Sequence, residues 1–340
     1  MHPVLFHIPG LGFPIRSFGV LVAAGMFLGI WVWGKLLERY GDDPVQDPIR
    51  SSQVAVWVVV GVMAGARLLY VTVEVSRTLG ADLTEQQEAY LASDRGPQAA
   101  SLLVRTDPSG PEALEEARKV EGGYDFLHDP LKVLFVWQGG LVMYGGLAGA
   151  ILLGLWSSKR HGLDPWNALD TCLVAGFLGL AIGRWGCLLV GDDFGSLVPP
   201  SAADLPFPIT VTVPSAEWLA NHPQSLFPHD LAGKTIWATQ IWMSANAILL
   251  FLIGWFLLRW RRWRGQVAAV LIALYAVGRF TIENFRGDEI RGVWFGGALS
   301  TSQLISILGL ALGLILLVAK PGPPARRDEE PAGEAAEKSA

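Results

Sequence analysis

The chain has 340 residues, 51% of them hydrophobic and 17% charged, with a mean hydropathy of +0.37. Soluble domains carry roughly 25% charged residues, so this composition excludes an ordinary soluble domain and points to the membrane. The net charge of −5 defines no partner by itself, and no nucleic-acid partner is expected.

The 39 glycines and 14 tryptophans fit the same class, because glycine lets membrane helices approach closely and tryptophan favours the headgroup level. The two cysteines, Cys172 and Cys187, share one apolar segment. On a helix rising ~1.5 Å per residue they stand about 22 Å apart, too far to bridge. This argues against a disulfide framework and a zinc cluster, and neither a metal nor a cofactor is expected.

The N-terminal run MHPVLFHIPGLGFPIRSFG carries Pro3, Pro9 and Pro14 and no dense basic region. A cleavable signal is therefore not expected, and the first apolar span is expected to remain. A bilayer core needs about 20 mostly apolar residues in a helix. Seven windows approach this, at 18–34, 54–73, 133–156, 166–190, 236–258, 267–282 and 304–319. The expected fold is an all-α polytopic membrane protein with a seven-helix transmembrane domain over residues 1–320.

Two polar stretches interrupt the spans. Residues 74–129 are rich in Glu, Asp, Ser and Gly, with room for one small helix near 110–120 and no evident core. Residues 191–235 hold prolines and scattered apolar residues and suggest an irregular cap. The tail, 321–340, is low in apolar residues and is expected to be disordered. Lys35, Arg39 and Arg50, then Lys159 and Arg160, then Arg259, Arg261, Arg262 and Arg264, and finally Lys320, Arg326 and Arg327 fall on one side of such a bundle. The positive-inside rule then places the N-terminus outside, the C-terminus in the cytoplasm, and both polar stretches outside.

Some charges and polar groups fall inside or at the edge of the spans. Arg67, near the outer end of the second window, can be satisfied by snorkelling. Tyr144 in the third window is flanked by Gly145 and Gly146; it reads either as an interfacial anchor or as part of a close-approach site. Arg184 lies inside LGLAIGRWGCLLVG, where an arginine costs about 2.5–3.5 kcal/mol on insertion scales. Asp170 is 14 residues back, and Asp192 and Asp193 follow the apolar run. Arg184 therefore either pairs with another helix, or snorkels, or meets a lipid phosphate. Tyr275, Arg279, Glu283 and Arg286 are spaced by 4, 4 and 3 residues and share one helix face. Arg279 and Glu283 make either a structural pair or, with Arg184, part of an anion clamp, because guanidinium forks grip phosphate bidentately.

Taken together, SFGVLVAAGMFLGIW, AGARLLYV, DPLKVLFVWQGGLVMYGGLAGA, GLAIGRWGCLLVGDDFG, ATQIW, ALYAVGRFTIENFRGDE and STSQLISI resemble, in this order, the prolipoprotein diacylglyceryl transferases. The resemblance covers about 15–75, 128–196 and 236–318. It implies an enzyme of the bacterial cytoplasmic membrane that transfers the diacylglyceryl group of phosphatidylglycerol to the lipobox cysteine of a preprolipoprotein, leaving a thioether and glycerol phosphate. Its partners are then phosphatidylglycerol, membrane lipids and the lipobox segment. Arg184 matches the family's phosphatidylglycerol-binding arginine, and Arg279 a second functional arginine. Glu283 and Arg286 fall in their expected places, with Tyr275 on the same face. Asp192 stands where an acid is usual, Gly195 matches a functional glycine, and Gln240 fits a polar position.

The chain also departs from the family. Tyr144 stands where many members carry a histidine proposed as catalytic base, Phe18 replaces a tyrosine and Cys187 an asparagine, and Trp237 and Met243 replace a histidine and a glutamate. All six histidines fall outside the apolar windows, so the thiol proton is left to Tyr144, water, Glu283 or the departing phosphate. A catalytically silent lipid-binding paralogue and, from another class, a transporter are the alternatives.

Overall fold

The computed structural model describes residues 1–7, 14–136, 139–202, 204–287 and 292–325. Most of the expected tail, 326–340, lies outside the described residues, as does Pro9 near the N-terminus. The helices are α1 (Ser17–Tyr40), α2 (Gln46–Leu79), α3 (Glu85–Ala92), α4 (Pro97–Thr106), α5 (Pro111–His128), α6 (Met143–Arg160), α7 (Pro165–Val190), α8 (Ala216–Asn221), α9 (Thr239–Trp260), α10 (Gln266–Glu283) and α11 (Thr301–Ala319). The strands are short: β1 (Val4–His7), β2 (Pro14–Arg16), β3 (Thr210–Thr212), β4 (Thr235–Trp237), β5 (Val293–Trp294) and β6 (Leu299–Ser300). They form the antiparallel pairs β1–β2, β3–β4 and β5–β6.

Six helices among the described residues are long and apolar enough to cross a membrane: α1, α2, α7, α9, α10 and α11. Between 17% and 44% of each apolar window is buried, and large apolar side chains such as Phe27, Phe256, Leu308 and Val318 face outward. Such a surface suits lipid and would drive aggregation in water. The third expected window, 133–156, is the exception. Gly139 and Gly140 hold φ of 91° and 69°, outside the helical region, and α6 starts only at Met143. The helix that remains has 18 residues, two of them Lys159 and Arg160, and falls short of the apolar length of the other six.

The chain divides into two compact units, Met1–Ser52 with Leu163–Ala340, and Gln53–Gly162. In the first, α1 and α9 pack on α7, and α10 packs on α7, α9 and α11. Small residues set the closest approach: a Cβ on Gly25 would lie 2.6 Å from the Gly179 carbonyl oxygen, so α1 and α7 cross at backbone distance there. Trp33 Nε1 donates to Thr171 Oγ1 at 3.0 Å, and Ser244 Oγ to the Ala181 carbonyl at 2.8 Å.

Helix α7 starts where Asp164 caps the Asn167 N–H at 2.7 Å, with Pro165 in the first turn. Near that end the fully buried Asp170 accepts from the Gly265 and Ala268 N–H groups at 2.8 and 2.7 Å and from Arg261 at 2.9 Å. It thereby caps the start of α10 from another helix and supplies the partner for a buried arginine. The polar stretch 191–235 is a cap with its own core of Phe194, Val213, Leu219 and Phe227, packed with Ile236.

In the second unit, α3–α5 correct the expectation of a coreless insert. Tyr90, Leu91, Leu103, Ala113, Ala117 and Val120 form a buried cluster. The expected small helix is the 18-residue α5. A capping box at Thr84 and Gln87 starts α3, and Arg95 bridges to Glu121 and Asp125 of α5 at 2.9 and 2.6 Å. Arg67 does not snorkel. It is 5% exposed and donates to the carbonyls of Lys132, Val133 and Gly139 at 2.7, 3.0 and 2.7 Å, satisfying the non-helical backbone ahead of α6.

Candidate active site

The left-handed turn at Gly191 (φ 86°) closes α7, with the N–H groups of Gly191 and Asp192 both donating to the Cys187 carbonyl at 2.9 Å. Glycine tolerates that backbone without steric cost. Asp193 (φ 56°) then folds back over the helix end, and its carboxylate pairs with Arg184 and with Arg286. Arg286 also faces Glu283 at 3.9 Å, and Glu283 pairs with Arg279 one helical turn earlier. Arg184, Asp193, Arg286, Glu283 and Arg279 thus form one continuous ionic chain from α7 to α10. All five side chains are at most 19% exposed, so their charges interact with little screening.

Helix α11 completes the chain. Ser300, the N-cap of α11, donates to Glu283 at 3.1 Å, and Arg279 donates to Ser302 at 3.1 Å. Backbone contacts hold the loops in register. Gly195 forms a β-bridge with Arg286, Ser196 N–H donates to the Phe285 carbonyl at 2.8 Å and Gly287 N–H to that of Phe194 at 3.1 Å. A Cβ on Gly195 would lie 2.2 Å from the Trp237 carbonyl oxygen, so no other residue fits without moving the backbone.

Of the expected site residues, Arg184, Arg279, Glu283 and Arg286 therefore come together, and Arg184 pairs across the end of its own helix rather than with a distant one. Asp192 lies in the turn beside them. Its carbonyl accepts from the buried Gln240 side chain at 2.9 Å and its carboxylate from the Asp193 N–H at 2.9 Å, while Asp193 carries the ion pairs to Arg184 and Arg286. Tyr275 packs its ring on Phe177, centroids 5.5 Å apart. Asp193, Ser300, Ser302 and Thr239, which donates to the Asp193 carbonyl at 3.0 Å, were not anticipated. Two adjacent acids in GDDFG carry no sequence signal for which one turns inward, although the preceding glycine marks a turn.

Of the residues that depart from the family pattern, Phe18, Cys187, Trp237 and Met243 belong to the first unit. Cys187 is buried one turn beyond Arg184, Met243 is a core side chain 1% exposed, and Phe18 backs on Gly186. Trp237 joins Trp242 and Phe285 in an aromatic cluster with centroids 5.2–5.6 Å apart. All six histidines are outside the six candidate spans. In the second unit Tyr144 is half-buried in the first turn of α6. Gly145 and Gly146 face α2, a Cβ on Gly145 lying 2.3 Å from the Gly65 carbonyl oxygen; the glycine pair serves the close approach of another backbone.

Arg184 Nε and Gln240 Oε1 are among the buried side-chain atoms that find no hydrogen-bond partner among the described residues. A buried donor left unmet costs about 1–3 kcal/mol, and such groups are expected where a ligand or water completes the set.

Apolar helices around a buried ionic chain define a polytopic membrane protein with a polar site at the ends of its spans. The sequence matches the family described as prolipoprotein diacylglyceryl transferase over residues 3–87 and 119–319. It is 24% identical to the phosphatidylglycerol–prolipoprotein diacylglyceryl transferase of Rhodospirillum centenum, over 92% of this chain and 90% of that one. The enzyme of the same name from Gloeobacter violaceus is 26% identical over 89% and 88%, and that of Vibrio vulnificus 30% over 56% and 63%. The chain belongs to the prolipoprotein diacylglyceryl transferase family and is a multi-pass membrane transferase. Membership displaces the transporter alternative.

Proposed function

We propose that the protein transfers the diacylglyceryl group of phosphatidylglycerol to the lipobox cysteine of a preprolipoprotein in the bacterial cytoplasmic membrane. The observation that carries this reading is the ionic chain joining Arg184 to Arg279 through Asp193, Arg286 and Glu283. It fixes two guanidiniums from different helices within one polar site. In the reaction the cysteine sulfur forms a bond to a glycerol carbon, the carbon–oxygen bond to phosphate breaks, and glycerol phosphate leaves. Arg184 and Arg279 hold the phosphate and stabilise the charge that grows on it as it departs.

Arg184 Nε, with no protein acceptor among the described residues, is available to a phosphate oxygen. Asp193 and Glu283 orient the guanidiniums, and Ser300 and Ser302 fix the far end. Gly195 and Gln240 hold the turn that carries Asp192 and Asp193. Tyr144 takes the family's histidine position, and the thiol proton leaves to its phenolate, to water, to Glu283 or to the departing phosphate. Seven spans, with α6 as the third, the N-terminus outside and the C-terminus in the cytoplasm, accord with the clustering of Lys and Arg in the short loops.

Purified protein given phosphatidylglycerol with labelled acyl chains and a lipobox peptide should yield the labelled thioether. A folded protein that binds the lipid and makes no thioether would favour the silent paralogue, the reading for which Phe18, Tyr144, Cys187, Trp237 and Met243 speak.

A further inference from the structure

Helix α9 begins beside the ionic chain, where Gln240 meets Asp192, and ends at Trp260, about 33 Å away at ~1.5 Å per residue. Helix α1 likewise begins next to Gly186 and ends at Tyr40. The far ends of these two helices flank a half-open cavity of about 170 Å³ lined by Arg39, Tyr40, Trp255, Phe256, Arg259 and Trp260. One water needs only about 10–15 Å³, so the cavity admits a larger group. It lies a membrane thickness from the site described above and has no part in the proposed transfer.

The geometry points to a binding site for the phosphate-bearing headgroup of an anionic membrane phospholipid. Three observations carry this. First, the charge is available: Arg261 and Arg264, from the same RWRRWR run, are committed to Asp170, Asp42 and Asp164. Arg39 and Arg259 make no ion pair with any described residue. Second, the walls are aromatic and outward-facing, with Trp255 47%, Phe256 63% and Trp260 64% exposed. Aromatic rings beside arginine at the end of an apolar span lie at the headgroup level of a bilayer, with acyl chains against the rings and phosphate against the guanidiniums. Third, the Arg39 guanidinium sits over the Tyr40 ring, 5.5 Å from its centroid, and Arg261 donates to the Tyr40 carbonyl at 3.2 Å. Packing holds the pocket open between the two helix ends; two arginines snorkelling independently would leave no shared concavity. A soluble phosphate would gain nothing from three exposed apolar rings, so the lipid is the occupant.

The test uses the full chain in phosphatidylcholine nanodiscs doped with photoactivatable phosphatidic acid, with crosslinks mapped by peptide mass spectrometry. Crosslinks should concentrate on the peptides containing Arg39–Tyr40 and Trp255–Trp260 and should fall at least about tenfold in Arg39→Gln/Arg259→Gln. Arg39→Lys/Arg259→Lys, which keeps the charge, should retain most of the labelling and controls for folding. Equal labelling by a photoactivatable phosphatidylcholine would overturn the proposal, leaving only bulk lipid at the groove. Displacement of the phosphatidic acid probe by inorganic phosphate would overturn it too, in favour of a soluble anion site.

Discussion

Arg184, half-buried on α7, is held by the carboxylate of Asp193, which lies beyond the end of the same helix and returns over it through the turn at Gly191. This makes the loop after α7 part of the site, because Asp193 is also the link to Arg286 and hence to α10. The two residues should act as a unit. In a double-mutant cycle with Arg184→Gln and Asp193→Asn, the coupling energy from thermal unfolding in detergent is expected at roughly 1–3 kcal/mol. Additive effects would mean that the pair does not form.

Gly195→Ala places a Cβ 2.2 Å from the Trp237 carbonyl oxygen and 2.8 Å from its Cβ, so the strand must move and the bridge to Arg286 with it. The expected outcome is a loss of about 1–3 kcal/mol of stability together with lowered transfer. Gly176→Ala, at a position with nothing within 4 Å, serves as the comparison. Equal behaviour of the two variants in a melting experiment would contradict the close approach.

Tyr144→Phe removes only a hydroxyl. If that hydroxyl takes part in removing the thiol proton, kcat should fall by about 10²-fold or more while lipid binding stays unchanged. An unchanged kcat in single-turnover transfer would take Tyr144 out of the proton path.

The α3–α5 insert should loosen in acid. Burial by itself raises the Asp125 carboxyl, but hydrogen bonds and charge from Arg95, and then Lys132, outweigh it and hold the group below its ordinary value of 3.8. A depressed carboxylate contributes stability that is full above its unfolded value and is lost as pH falls through the folded one. Hydrogen exchange should therefore show α5 protected at pH above about 4 and increasingly exposed below it, with the dependence weakened in Asp125→Asn. Protection that stays constant through this range would rule out the Arg95 clamp.

Much of this arrangement was legible because membrane physics writes large signals. Apolar length marked six of the spans, and charge inside them singled out Arg184, Arg279 and Glu283. The remainder depended on backbone conformation. Gly139 and Gly140 shorten α6 through φ values that composition does not display. Asp192 and Asp193 are chemically alike, and it is the turn at Gly191 that brings Asp193 to Arg184 and Arg286. Arg67 is satisfied by main-chain carbonyls, which leave no pattern in side-chain identity. The insert hid its core because Ala113 and Ala117 pack as core residues between three short helices, with too few large apolar side chains to show a period.

The most direct measurement is the rate of labelled diacylglyceryl transfer from phosphatidylglycerol to a lipobox peptide by purified wild type, Arg184→Ala and Arg184→Lys, with lipid binding followed in parallel. A phosphate clamp predicts loss of at least about 10²-fold with Ala and partial recovery with Lys, whose ammonium lacks the planar fork, in proteins that still insert and melt cooperatively. Wild-type turnover by Arg184→Ala would contradict the assignment of this ionic chain as the site of reaction.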